Sequence, residues 1–71
     1  MKATSEMTEQ EGACFINLKK AMHESFLALE YLEQAQHLAP DDASEERILT
    51  CVRMMNDTMT DIQHAVQSLT N

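Results

Sequence analysis

Tryptophan is absent from this chain, glycine, proline and tyrosine occur once each, and phenylalanine twice. A single glycine leaves no Gly-rich loop to cradle phosphates. A single proline leaves one obligatory break in an otherwise uninterrupted helical pattern. Basic residues are also scarce, five against twelve acidic ones, for a formal net charge of −7. Both halves share the imbalance. With no basic patch to neutralise phosphates, direct nucleic-acid binding is disfavoured, and so is docking on anionic lipid. No apolar run approaches the ~20 residues of a membrane span. Lys2 is not followed by an apolar stretch, so no secretory signal is read at the N-terminus. These absences point to a soluble, cytoplasmic chain.

What remains favours helix. Ala, Leu, Met, Glu and Gln are abundant, and at 44% hydrophobic the chain is too apolar to read as disordered. Seventy-one residues allow one small domain. A chain of that length buries only about 60% of its unfolded surface, so disulfides, a metal or oligomerisation are the usual remedies.

Residues 1–7 carry no periodicity and are expected to be a flexible segment. Thr8 is the first strong helix start, since Thr8 and Glu11 fit a capping box; Ser5 is a rival. The first helix is expected over about 9–38, with Gly12 loosening its first turn. Its large-residue face holds Phe15, Leu18, Met22, Phe26, Leu29 and Leu32. Beside it, small residues recur every seven positions at Cys14, Ala21, Ala28 and Ala35, a pattern that lets helices approach closely. Ser25 interrupts the apolar face, with a hydroxyl able to bond back to a carbonyl one turn earlier.

Pro40 sets a turn over about 39–42. Asp42 is the expected cap of the second helix, paired with Glu45, with Asp41 and Ser44 as rivals. That helix, about 43–70, presents one seam: Ile48, Val52, Met55, Met59, Ile62, Val66 and Leu69. The steps alternate four and three residues, the period of a helix facing a partner helix. A short connection makes the helices antiparallel neighbours. Folding about the turn opposes residues whose numbers sum to about 81, so Phe15 meets Val66, Met22 meets Met59, Phe26 meets Met55 and Leu29 meets Val52.

One partner helix cannot cover everything apolar here. Ile16, Leu27, Tyr31 and Leu38 lie further round the first helix, and Leu49, Cys51, Met54 and Ala65 flank the second seam. The small-residue positions and Ile16, Leu27, Tyr31, Leu49, Cys51 and Met54 are therefore the candidate interface. Leu27 and Met54 are expected to share one patch. The expected architecture is an all-α antiparallel hairpin pairing with a second copy into a dimeric four-helix bundle, or taking its missing helices from a helical protein partner.

Chemistry is harder to find. Cys14 lies opposite residue 67, about sixteen residues along the second helix from Cys51, or roughly 24 Å, which forbids an intrachain disulfide. Reduced thiols packed as small hydrophobes are expected, with cross-linking between chains the alternative. Asp57, Asp61 and His64 share a helix face, but no Glu-x-x-His motif accompanies them, and a solvated face is favoured over a metal site. Glu33 and His37 form an ordinary i,i+4 pair. No Ser/His/Asp set falls at one locus, so no catalytic residue, cofactor or metal is expected. In size and hairpin layout the chain resembles Rop-like dimeric bundles and small type III secretion co-chaperones; no motif residue is shared, and no residue role carries over. The expected function is a small acidic, non-enzymatic interaction module, a regulator or adaptor. A secretion-type chaperone or co-chaperone is the alternative, and a DNA-mimicking acidic inhibitor a weaker one, because Lys19, Lys20, Arg47 and Arg53 lie among the acids.

Overall fold

A computed structural model describes residues 6–70, so most of the N-terminal segment expected to be flexible lies outside the described residues. Two helices account for nearly all of it: α1, Glu9–His37, and α2, Asp42–Thr70, each 29 residues long. Among the described residues there is no strand. Equal length matters because at 1.5 Å per residue each helix runs about 44 Å, so neither overhangs the other. They pack against each other as a hairpin measuring 51 × 15 × 15 Å. The radius of gyration is 16.0 Å; a compact chain of this length would have about 11 Å. This is a rod one layer thick.

The caps explain where each helix begins and ends. Thr8 is extended and accepts the Glu11 N–H on its hydroxyl at 3.1 Å, while Glu11 Oε1 accepts the Thr8 N–H at 3.1 Å. Two amide donors that the helix cannot satisfy internally are thereby paired. At the other end the Leu38 N–H is shared between the Gln34 and Ala35 carbonyls, and Pro40 follows two residues later. No described residue needs a left-handed backbone to make the turn.

Asp41, not Asp42, caps α2. Its carboxylate accepts the Ser44 N–H at 2.7 Å, and Asp42 is the first helical residue. The Glu45 N–H, which an Asp42 cap would have used, is already given to the Asp41 carbonyl at 3.0 Å. The residue three positions beyond the cap is therefore Ser44, and no reciprocal glutamate contact forms.

Between the helices, Phe15, Leu18, Met22, Leu29 and Leu32 of α1 are half-buried, as are Ile48, Met55, Met59, Ile62, Val66 and Leu69 of α2. Val52 alone among the described residues is buried, at 9% exposure. Phe26 departs from the expected seam and stands 55% exposed. The four-and-three alternation through Phe15, Leu18 and Met22 continues to Ser25, one residue short of Phe26. Ser25 is half-buried in that place and gives its hydroxyl to the Ala21 carbonyl at 2.7 Å, which satisfies it without a partner from α2.

Candidate interaction surface

Two helices packed side by side leave each with three uncovered flanks, and the apolar side chains left there define the candidate surface. Among the described residues six large hydrophobic side chains are exposed: Ile16 at 54%, Phe26 at 55%, Leu27 at 39%, Tyr31 at 71%, Leu38 at 82% and Met54 at 63%. Five of these belong to α1 or its cap. The two helices differ in pattern: α2 confines most of its apolar residues to one stripe, whereas α1 carries them round much of its circumference.

The exposed residues fall on different flanks. Ile16, Leu27 and Leu38 stand eleven residues apart, three full turns, with Tyr31 one turn beyond Leu27. At about 100° per residue this row lies directly behind Leu18, Ser25 and Leu29, on the back of α1 away from α2. Met54 sits on a flank of α2, so a hairpin with Leu27 on its back does not merge the two into one patch.

Phe26 has a different setting. With Lys19 and Met22 it forms one wall of a groove of about 460 Å³. The facing wall comes from α2: Asn56, Met59, Thr60, Gln63 and Val66. Met22 and Met59, whose numbers sum to 81, share this groove. Its floor is apolar and its rim polar, with Lys19 the one charged member, a lining suited to an apolar side chain from another helix rather than to a charged ligand. Taking Phe26 for a seam residue hid this groove from the sequence; the alternation carried through to Ser25 is the signal that reveals it.

Of the remaining interface candidates, Cys14, Ala21 and Cys51 are exposed, and Ala28, Ala35 and Leu49 are half-buried. Both thiols are free. They are exposed rather than packed inside, because each lies on the flank of its helix and not on the seam. Asp57, Asp61 and His64 are likewise exposed, and the described residues contain no group of three or more His, Cys, Asp and Glu side chains placed to hold a metal ion. No described helix is long and apolar enough to cross a membrane.

The carboxyl of Asp41 is held below its ordinary value, first by the Ser44 backbone N–H it accepts, then by the Ser44 hydroxyl and the Ala43 N–H. It stands at the turn, away from the groove, and its role is to begin a helix.

No family model, no curated protein and no solved structure matches the chain.

Proposed function

We propose that this chain is a small acidic, non-enzymatic interaction module that works by helix-face docking and pairs with a second copy of itself into a four-helix bundle. One observation carries the reading: among the described residues, a single buried side chain, Val52, against six large apolar side chains in contact with water. Burial of apolar surface is the main favourable term in folding, and a hairpin this thin leaves a large share of it unused. Docking against further helices recovers it. The free thiols suit a reducing compartment, so the cytoplasm is the proposed setting.

The groove at Phe26 favours a second reading, a chaperone-like or adaptor role in which a helix of another protein lays an apolar residue between Met22 and Met59. The two readings are compatible, since a bundle still has outer faces.

Sedimentation equilibrium on the reduced protein over a concentration series tests the proposal. A mass near twice 8.1 kDa is expected. A monomer at every concentration overturns self-pairing and leaves only the helical partner.

A further inference from the structure

We infer that the second copy docks on one particular side of the hairpin, the one opposite the Phe26 groove. This rests on the docking reading above and specifies which surface performs it. The groove fixes the geometry, because Phe26 and Lys19 of α1 lie on the same side of the hairpin as Asn56 and Thr60 of α2. Advancing each helix by about 100° per residue puts Cys14, Ala21, Ala28 and Ala35 on the other flank of α1. The same construction puts Cys51, Met54, Thr58, Ile62 and Ala65 on the other flank of α2. The two sets share one side of the molecule.

Charge argues that this side meets a copy of itself. The chain has a net charge of −7, so two copies repel wherever their charged surfaces face each other. The groove side carries Lys19, Glu30, Glu33, Asp42 and Glu45, with Arg53 towards the back of α2. The opposite side is nearly free of charge: Glu24 and Asp61 stand at its margins and Arg47 near the turn. A basic partner would find little to pair with there, and a second acidic copy meets less repulsion there than on any other side.

Shape argues the same way. On this side α1 offers mostly small residues, with Asn17 among them and Leu32 at the edge towards the seam, while α2 offers Met54, which is 63% exposed, and the half-buried Ile62 among the smaller Cys51, Thr58 and Ala65. A two-fold rotation about an axis parallel to the rod sets α1 of each copy against α2 of the other, so the small row of each copy receives Met54 and Ile62 of its partner. Every helix in that arrangement is antiparallel to both its neighbours. The row from Cys14 to Ala35 is about 32 Å long and two helices are roughly 20 Å wide, giving on the order of 600 Å² per copy. About 1,200 Å² for the pair reaches the lower bound of specific interfaces.

The native thiols report on the assignment, since Cys14 and Cys51 are both exposed on the proposed side. Alkylation by N-ethylmaleimide should slow as the dimer forms, about tenfold where nine-tenths of the chains are paired. Unchanged alkylation in a sample that sediments as a dimer overturns the assignment. Two variants adding the same charge make the comparison positional. Ala21→Glu should weaken self-association by at least about a hundredfold, because it places a like charge in each half of a closed interface. Asn56→Glu, on the groove side, should leave it within about threefold. Circular dichroism of both variants establishes that the helices remain, as expected for exposed positions. If Asn56→Glu separates the copies and Ala21→Glu does not, the groove side is the interface and the inference fails while self-pairing stands. A wild-type monomer removes both.

Discussion

Asp41 is a fully solvated side chain that nonetheless determines where α2 starts, because its carboxylate and carbonyl between them receive the Ser44 and Glu45 N–H groups. The Ser44 N–H first, then the Ser44 hydroxyl and the Ala43 N–H, hold its carboxyl below the ordinary value. A group with a lowered folded pKa stabilises the fold above its unfolded value of about 3.9, and the contribution is lost as pH falls through the folded value. Asp41→Ala should therefore melt at a lower temperature than wild type at neutral pH. The gap should narrow as pH drops below about 3.9. Thermal melts of both proteins from neutral pH to pH 2 check this; a gap that widens on acidification contradicts the assigned cap.

Ser25 and Phe26 show how far single residues can be read from sequence. Hydropathy favours Phe26 as the inward residue, whereas the four-and-three alternation favours Ser25, and the structure follows the alternation. Geometry prevails because a residue displaced by 100° leaves the seam whatever its hydrophobicity, while a serine can satisfy its own hydroxyl on the preceding turn. The choice between Asp41 and Asp42 was open for a similar reason: adjacent aspartates offer the same side chain, and only the placement of the turn after Pro40 separates them.

At the scale of the element, α2 was the more legible helix. Its seam is a single apolar stripe bordered by polar residues, so the period and the facing direction coincide, and all seven seam residues are at least half-buried. In α1 the apolar residues surround most of the axis. Length and caps could be read there, yet the inward face was blurred, and the side shared by its small residues and by Cys51 of α2 emerged only once both helices were placed together. The first turn of α1 offers an element-scale prediction. Gly12 is helical, has no unusual backbone angle, and a Cβ added there meets nothing within 4 Å. Its amide bond to the Thr8 carbonyl, 2.9 Å, is available to any residue. Gly12→Ala should therefore stabilise the hairpin by about 0.5–1 kcal/mol, through a smaller entropy loss on folding. Urea denaturation of the two proteins measures it, and a destabilised variant would mean that Gly12 serves a close contact with another chain.

For the molecule as a whole, salt separates the possible partners. Each copy carries −7, so pairing brings two acidic rods within about 20 Å of each other, and their repulsion acts over a Debye length of about 10 Å at 0.1 M ionic strength. Raising sodium chloride shortens that length to about 3 Å at 1 M and removes most of the repulsion. Apolar contacts across a nearly charge-free face are not weakened by the same change. Self-association should thus strengthen with salt, and sedimentation equilibrium at low and high sodium chloride measures the shift in dissociation constant. Docking to a basic partner would respond in the opposite sense, because screening weakens attraction between unlike charges. Self-association that weakens with salt would mean that ion pairs hold the copies together. In that case the interface must extend beyond the nearly charge-free side to charged surface such as the groove side, where Lys19, Glu30, Glu33 and Glu45 stand.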